Sequence, residues 1–483
     1  MTGECRMNGA LEIIIDQIME KATLAAAVYS TLDQAHTDRI VQAVYEAGFN
    51  ARVKLAKMAY DETGIGRWED KVIKNVVATQ LVHEDIKNLK TVGIISEDKE
   101  RGIAEIAQPM GPILAIIPVT NPTSTIMFKV LSALKTRNPI IICPSKRAVR
   151  CCEETARICY EAALSQDAPE DCIQWLTQVT REQTQALMRH DKLALILATG
   201  GGGLVRSAYS SGTPAMGVGS GNVPVFVEKS ADIPFAAEQI LISKTFDNGT
   251  VCASEQAIVV EETIAEDVEA EFSKRGAHFL SGEEIALLEK IAWDKEEKTM
   301  NPDIVGRPAD FIARKAGFAV AANVRLLIAP LKGVGAEYPL SSEILAPILA
   351  FYVAKDFEEA VKICIDLNYY GGIGHTASIF SNDDEKIKRF SLLMNAGRIV
   401  VNTPSSQGAV GGIYNVLNPS LTLGCGTSGK NITTENVTAR NLLNIQRILW
   451  RRPNLRLTQF DMSRYLDESQ DAKTIEREFN RNY

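Results

Sequence analysis

The sequence predicts an α/β protein built around a parallel sheet, and three observations support this fold class. From residue 112 onward, short apolar runs typical of buried strands alternate with helix-spaced apolar residues. A glycine-rich stretch directly follows the apolar run 193–198, as expected for a strand-to-helix turn. At 483 residues, with 46% hydrophobic and 23% charged residues, the chain has the size and composition of a soluble globular protein of two or three domains.

The opening fifth of the chain is predicted to be helical. Charges interrupt the apolar run of residues 1–22, which indicates the start of an amphipathic helix and not a signal peptide. Residues 31–90 have apolar side chains at helical spacing, with Gly64 and Gly66 as stop signals. Residues 92–107 then predict a β-hairpin, because two β-rich runs flank a charged turn.

The α/β alternation that follows consists of four strand and helix pairs. They are strand 112–118 with helix 124–134, strand 139–143 with helix 148–163, strand 171–179 with a short helix, and strand 193–198 with the glycine loop 199–203 and a helix. Further strands are predicted at 223–227, 256–260, 377–380 and 441–449. Such an order implies a parallel sheet whose ligands bind at the carboxyl ends of the strands.

Charge and cysteine content exclude several kinds of partner. The net charge is -8 and basic residues form no long stripe, so we expect no nucleic-acid surface. No segment reaches about 18 unbroken apolar residues, so no membrane span is predicted. The nine cysteines include no CxxC pair, which argues against zinc, and their scattered positions suit a reducing cytoplasm.

Two glycine-rich loops and one cysteine are the candidate functional features. Glycines at 199–203 and 217–222 would let backbone N–H groups approach a pyrophosphate, although the first loop is also compatible with a plain tight turn. Cys252 lies just downstream, in FDNGTVCASE (residues 246–255). By composition alone it is either a buried core thiol or a nucleophile.

Seven motifs resemble those of the aldehyde dehydrogenases, specifically the coenzyme A-acylating branch. They are residues 117–124 (IPVTNPTS), 135–139 (KTRNP), 208–212 (AYSSG), 217–222 (GVGSGN), 246–255 (FDNGTVCASE), 342–347 (SEILAP) and 371–376 (GGIGHT). The resemblance covers about residues 33–447 and includes the aldehyde dehydrogenase half of bifunctional acetaldehyde/alcohol dehydrogenases. It implies a Rossmann-like cofactor domain at 1–242, an α/β catalytic domain at 243–430, and a small β oligomerisation element formed by hairpin 92–111 and the segment 431–483.

The resemblance also implies catalytic roles for three residues. Cys252 would supply the thiolate that attacks an aldehyde carbonyl. Asn121 and the backbone N–H of Cys252 would stabilise the resulting oxyanion, although Asn121 can also be a plain Asn-Pro turn residue. His375 would help to deprotonate an incoming thiol or hold a pantetheine arm. The alternative for His375 is a hydrogen-bonded histidine on a loop before strand 377–380.

Cofactor residues follow from the same resemblance. Glu343 matches the glutamate that binds the nicotinamide ribose, and a solvated loop carboxylate is its alternative. Lys146 and Arg147 follow a strand where an acidic residue would favour NAD, so we favour NADP slightly over NAD. Either cation can instead face water. The remaining cofactor residues predicted are Pro118, Thr120, Ser145, Gly200, Gly201, Gly217 and Gly219.

Gly217 also occupies the place of a glutamate that activates water in hydrolytic members of the family. Its absence implies that a thioester on Cys252 survives until coenzyme A, a co-substrate, attacks it. We expect acyl-CoA or aldehyde as products and never alcohol, because no iron-dependent alcohol dehydrogenase half follows the motifs.

The loop at 424–431 departs from the acetaldehyde-type pattern, which has tryptophan at position 428 and glycine at position 430. Thr427, Ser428 and Lys430 would hold an anionic aldehyde tail, and sulfoacetaldehyde is the substrate we favour. Acetaldehyde and succinate semialdehyde are the alternatives. A homodimer or homotetramer is expected. From a different class, a non-catalytic nucleotide-binding or scaffold protein remains an alternative.

Overall fold

The computed structural model describes residues 2–294, 296 and 299–481, with side chains from residue 11 onward. These residues divide into two compact units, one of residues up to 89 together with 109–443, and one of residues 90–108 together with those from 444 onward. Two all-parallel sheets with helices around them confirm the α/β class. The predicted domain boundaries at 242 and 430 remain predictions.

The first fifth of the chain is helical, as predicted. Its α-helices are α1 (Thr2–Tyr29), α2 (Gln34–Asn50), α3 (Arg52–Thr63), α4 (Trp68–Val76) and α5 (Val82–Ile86), with a π-helical turn at Val77–Leu81. The Asp33 side chain caps α2 by accepting from the His36 N–H, and α3 ends at Gly64 in a left-handed conformation. Strands β1 (Gly93–Asp98) and β2 (Ile103–Pro109) pair antiparallel and confirm the hairpin.

Five parallel strands alternate with four helices in the first large sheet. These elements are β3 (Ile113–Ile116), α6 (Pro122–Lys135), β4 (Ile140–Cys143), α7 (Val149–Leu164), β5 (Ile173–Trp175), α8 (Arg181–Met188), β6 (Leu195–Thr199), α9 (Gly202–Tyr209) and β7 (Ala215–Val218). The strand order is β5-β4-β3-β6-β7. Successive residues of β3 face opposite cores, Ile113 towards α6 and α7 and Leu114 towards α1 and α8. Both faces are therefore covered, which explains the unbroken apolar runs.

Seven parallel strands form the second large sheet, in the order β10-β13-β14-β9-β8-β15-β16. Its strands are β8 (Val223–Val227), β9 (Glu255–Glu261), β10 (Ala277–Phe279), β13 (Leu326–Pro330), β14 (Ile348–Ala354), β15 (Gly374–Phe380) and β16 (Ala396–Val401). The α-helices of this region are α10 (Ile233–Thr245), α11 (Ala265–Lys274), α12 (Gly282–Ala292), α13 (Ala309–Ala316), α14 (Phe357–Gly371), α15 (Asp384–Leu393) and α16 (Ser405–Gly408). A small antiparallel pair, β11 (Trp293–Asp294) and β12 (Thr299–Met300), lies between α12 and α13.

Strand β15 corrects one prediction. It begins at Gly374, three residues before the predicted strand 377–380, so His375 lies inside a strand and not on a loop. Gly374 has a φ of 80° and packs against the backbone of Cys425, which allows the strand to start this early.

The second unit contains a three-stranded sheet in the order β1-β2-β17. Strand β17 (Leu443–Leu449) confirms the strand predicted at 441–449, and α17 (Leu455–Thr458) and α18 (Ala472–Arg481) follow it. Within the described residues, no helix is long and apolar enough to cross a membrane. No group of three or more His, Cys, Asp or Glu side chains there is arranged to hold a metal ion.

Candidate active site

A cavity of about 660 Å³ lies at the carboxyl ends of β3, β4, β6 and β7. This is the edge at which parallel α/β sheets bind ligands, and the volume suits a small-molecule or cofactor site. Ten of the predicted site residues line it: Pro118, Thr120, Asn121, Ser145, Lys146, Gly200, Gly201, Gly219, Cys252 and Glu343. Residues that are far apart in the sequence are therefore brought to one place.

Six predicted site residues are not among those that line this cavity: Arg147, Gly217, His375, Thr427, Ser428 and Lys430. Arg147 and Lys430 are exposed, whereas Gly217 and His375 are buried. The predicted cation pair is thus divided, because Lys146 borders the cavity and Arg147 does not.

Cys252 differs from the other cysteines whose side chains the structure describes. It is partly exposed and borders the cavity, while Cys143, Cys151, Cys152, Cys159, Cys172, Cys364 and Cys425 are buried. It follows a tight turn in which Asp247 and Asn248 both have positive φ, so the chain reverses just before the cysteine. Burial raises the pKa of the Cys252 thiol to about 12, the negative charge of Glu343 adds to that rise, and Arg398 opposes it.

Asn121 stands at the amino end of α6, between the cavity and a buried lysine. Its side-chain Oδ1 accepts a hydrogen bond of 2.6 Å from Lys74 Nζ, and its Nδ2 donates to Thr120 Oγ1 at 3.2 Å. Thr250, two residues before Cys252, also borders the cavity. Asn121 and Cys252 therefore border the same cavity, and Lys74 bonds to both Asn121 and Thr250.

Two buried lysines of α4, which the sequence analysis missed, lie behind Asn121 and Thr120 and are not among the residues that line the cavity. Lys71 Nζ lies 3.0 Å and Lys74 Nζ 2.5 Å from Asp247 Oδ2. Burial lowers the pKa of Lys74 to about 8 despite the attraction of Asp247. In Asp247 the two ammonium groups outweigh the effect of burial, so its pKa is lowered. The three-residue spacing of the lysines on a helix was the available signal, because it places both on one face.

Glu343 connects the cavity to a glycine turn. Its Oε1 accepts from the Gly221 N–H at 2.7 Å, and burial raises its pKa to about 7. A Cβ on Gly221 would overlap the carbonyl oxygen of Cys252 and lie 3.1 Å from the His375 ring. Only glycine fits where these three residues converge.

His375 is fully buried in β15. Its Nδ1 lies 2.9 Å from Thr376 Oγ1, while its Nε2 has no hydrogen-bond partner among the described residues. Burial, with a smaller contribution from the Arg398 cation, lowers the pKa of His375 to about 3. The ring is therefore neutral at ordinary pH and a weak base.

Arg398 is a third buried cation of this region that the sequence analysis did not identify. Its guanidinium donates to the carbonyls of His375 at 3.0 Å, Gly424 at 2.6 Å and Thr434 at 3.0 Å. It thereby joins β15 to the loop that contains Cys425. Its charge also favours a thiolate on Cys252.

Gly217 has no room for a larger side chain without adjustment of its neighbours. An added Cβ would lie 3.1 Å from Ala198 O and Val205 Cγ1 and 3.2 Å from the Tyr209 hydroxyl. The Gly217 carbonyl accepts from Tyr209 Oη at 3.1 Å and from Asn431 Nδ2. Because the residue is glycine, this position supplies no carboxylate, and the neighbouring residues fill the space that a larger side chain would need.

The glycine loop before α9 fits a pyrophosphate. A Cβ on Gly201, Gly203 or Gly219 would meet no atom within 4 Å, so the backbone borders open space. Gly201 is the N-cap of α9, whose first N–H groups face that end of the cavity. These residues and Lys146 can hold a dinucleotide.

The predicted anion-binding loop forms a single turn of 3-10 helix at Thr427–Gly429. Ser428 Oγ accepts from Asn395 Nδ2 at 3.0 Å, and Lys430 follows with a left-handed backbone. Gly429 packs against the side chain of Cys425. The residues of this turn are not among those that line the cavity described above.

Comparison with known proteins identifies relatives over most of the chain. Residues 5–290 and 336–415 match the model of the aldehyde dehydrogenase family. An aldehyde-alcohol dehydrogenase of Streptococcus pneumoniae is 42% identical over 475 residues, which cover 96% of this chain and 54% of the relative. The chain therefore spans about half the length of that relative.

Two further relatives match along nearly their whole length. A sulfoacetaldehyde dehydrogenase (acylating) of Bilophila wadsworthia is 38% identical, with 89% of this chain and 94% of the relative covered. The crystal structure of an acetylating aldehyde dehydrogenase from Geobacillus thermoglucosidasius superposes with a TM-score of 0.90 at 44% identity, covering 93% of this chain and 98% of that one.

Proposed function

The chain belongs to the aldehyde dehydrogenase family, and we propose that it is a coenzyme A-acylating member. It would convert a short aldehyde, CoA and NAD(P)⁺ into acyl-CoA, NAD(P)H and a proton. The observation that supports this most is that Cys252 and Asn121 border one cavity, with glycine and no carboxylate at position 217.

In the first half-reaction, Cys252 Sγ as thiolate forms a bond to the aldehyde carbon and the carbonyl π electrons move to oxygen. Asn121 Nδ2 and the Cys252 backbone N–H are the donors proposed for that oxyanion. A nicotinamide cofactor held by Glu343 and the two glycine loops would supply the acceptor for the hydride that leaves the same carbon. Collapse of the oxyanion as the hydride leaves gives a thioester on Cys252.

In the second half-reaction, the CoA thiolate attacks the thioester carbonyl and Cys252 departs as a thiolate. Water competes poorly because no carboxylate stands at Gly217 to activate it. Glu343, which does border the cavity, already accepts from the Gly221 N–H. His375 is too weak a base to deprotonate CoA readily, so its proposed role is to shape the cleft beside Gly221.

NADP is the slightly favoured cofactor because Lys146 borders the cavity after β4. A 2′-phosphate would gain a charge-assisted hydrogen bond there. The proposed dinucleotide site also uses Ser145 and the two glycine loops.

Sulfoacetaldehyde remains the substrate that we propose, on the basis of Lys430, Thr427 and Ser428. The acylating relative from Bilophila wadsworthia supports this choice, while the acetylating enzyme from Geobacillus thermoglucosidasius supports acetaldehyde. Lys430 is exposed and is not among the residues that line the cavity. The relative rates with sulfoacetaldehyde and acetaldehyde therefore decide between the two substrates.

A homodimer or homotetramer in the cytoplasm completes the proposal. Ile94, Leu449 and Trp450 expose apolar surface in the three-stranded unit, which suits a subunit contact. Light scattering after size-exclusion chromatography measures the subunit number, and a monomer would contradict this part.

The test of the function is the initial rate of NADP⁺ and NAD⁺ reduction with each aldehyde, with and without CoA. We expect turnover that requires CoA, yields acyl-CoA and disappears in Cys252→Ala. A full rate without CoA, with a carboxylic acid as product, would show a hydrolytic enzyme instead. Nucleotide binding without turnover by any aldehyde would favour the scaffold alternative.

A further inference from the structure

We propose that Lys74 is a positioning residue that fixes the side-chain amide of Asn121 in its oxyanion-binding orientation. This inference rests on the proposed function, because it assigns to Lys74 the support of a donor used in the first half-reaction. Lys74 is buried and is not among the residues that border the cavity, so it acts through Asn121 and not on the substrate.

The hydrogen bonds of the Lys74 ammonium determine which way the amide faces. Nζ donates to Asn121 Oδ1 at 2.6 Å, Asp247 Oδ2 at 2.5 Å and Thr250 Oγ1 at 2.9 Å. An ammonium has three N–H donors and no acceptor, so these three oxygens use all of them. A flipped amide would place its NH₂ group against another donor. Asn121 Oδ1 therefore stays on the lysine side, and Nδ2 is directed away from the lysine, where it donates to Oγ1 of Thr120, a residue that lines the cavity.

The same ammonium also connects the two parts of the proposed oxyanion site. Asn121 is the N-cap of α6, whereas Thr250, which accepts from Lys74 Nζ at 2.9 Å, lies two residues before Cys252. Thr250 Oγ1 in turn donates to Asp247 Oδ2 at 2.8 Å. Lys74 thus sets the amide donor and the cysteine segment at a fixed separation, which preorganised stabilisation of an oxyanion requires.

Lys71 offers a matched control within the same cluster. Its Nζ contacts the same oxygen of Asp247 at 3.0 Å and the carbonyl of Thr120 at 3.0 Å, but it makes no hydrogen bond to Asn121 or Thr250. Both lysines lie on α4 and both are buried. Replacing either one leaves Asp247 with one ammonium, so the two variants share the structural cost and differ in their link to the amide.

The experiment measures the single-turnover rate of NAD(P)H formation without CoA, which reports the first half-reaction. The variants are Lys74→Met, Lys71→Met, Asn121→Ala and the double variant Lys74→Met/Asn121→Ala. We expect Lys74→Met to lower the single-turnover rate about tenfold to a hundredfold, which is a smaller loss than removal of a whole oxyanion donor causes. The aldehyde concentration that gives half of the maximal rate should change by less than about twofold. The single-turnover rate of Lys71→Met should stay within about threefold of the wild-type rate. Its resistance to unfolding by urea should fall by about as much as that of Lys74→Met.

The double variant separates positioning from general structure. In the Asn121→Ala background, Lys74→Met should change the rate by less than about threefold, because the amide that it orients is gone. If Lys74→Met does not fold, Lys74→Gln, which keeps two N–H donors, replaces it. Lys74→Gln must then lower the rate when Asn121 is present and leave the rate of Asn121→Ala unchanged. A wild-type rate in a folded Lys74 variant, or a full loss in both backgrounds, would overturn the proposal. A wild-type protein that reduces no NAD(P)⁺ with any aldehyde would overturn the proposed function and this inference with it.

Discussion

The carboxyl group of Glu343 and the thiol of Cys252 border the same cavity, and the Glu343 charge raises the pKa of Cys252 beyond the rise that burial causes. The pKa of Glu343 is itself raised, to about 7. Glu343 is therefore neutral in acid and repels a thiolate only above neutral pH. The reactivity of Cys252 should reflect this titration.

We predict that Glu343→Gln speeds alkylation of Cys252 by iodoacetamide about threefold to tenfold at pH 8–9 and leaves it unchanged below about pH 6. Above neutral pH the wild-type carboxylate disfavours the thiolate, whereas the protonated carboxyl group does not. The measurement is the alkylation rate of Cys252 by peptide mass spectrometry across this range. Glu255→Gln, a buried carboxyl that does not border the cavity, is the control and should change nothing. A pH-independent effect would contradict the assignment.

Gly217→Ala should lower the free energy of unfolding by about 1–3 kcal/mol, because its Cβ crowds Ala198 O and Val205 Cγ1. Gly217→Glu should show at least the same defect, and its folded fraction should gain CoA-independent activity, because it places a carboxylate where water can be activated. Urea unfolding and the CoA-free rate measure the two effects. Gly219→Ala, where a Cβ meets no atom within 4 Å, is the control for stability. A stable Gly217→Glu variant without any hydrolytic turnover would refute this prediction.

Lys146→Ala should lower the preference for NADP over NAD about tenfold, as expected for losing a charged hydrogen bond to a 2′-phosphate. The ratio of the two kcat/KM values measures this. Arg147→Ala is the matched control, since the neighbouring side chain does not border the cavity, and it should leave the ratio within about twofold. Equal ratios in wild type and Lys146→Ala would show that this cation does not read the cofactor.

Lys430→Gly should lower kcat/KM for sulfoacetaldehyde about tenfold to a hundredfold, because a sulfonate would lose a charge-assisted hydrogen bond. The value for acetaldehyde should change less than about twofold. Lys332→Gly, another exposed loop lysine, controls for a general change in surface charge. Parallel changes for both aldehydes would rule out an anionic-tail site at Lys430.

Buried strands were the most predictable elements, because both faces of a parallel sheet must be apolar. The run at 139–143 became β4 (Ile140–Cys143), and 193–198 became β6 (Leu195–Thr199). The hairpin was equally readable, since its charged turn lies between two β-rich runs. The buried strands and the hairpin are each specified by residues that are adjacent in the sequence.

The cluster behind Asn121 was not predictable in the same way. Lys74 and Asp247 are 173 residues apart, and a lysine on a helix is ordinarily expected to face solvent. The division between Lys146 and Arg147 also escaped prediction, because the direction of each side chain depends on how the chain leaves β4. The early start of β15 was not predictable, because it depends on Gly374 at positive φ and the residues there show no apolar pattern typical of a strand. His375 was therefore expected on a loop.

The most direct test of the acylating mechanism is a single turnover without CoA. The protein is mixed with aldehyde and NAD(P)⁺, NAD(P)H is followed by absorbance, and Cys252 is examined by peptide mass spectrometry. We predict about one NAD(P)H per active site, an acyl group on Cys252, and renewed turnover only when CoA is added. Continuous NAD(P)H formation without CoA, or an acyl group on another residue, would contradict the mechanism.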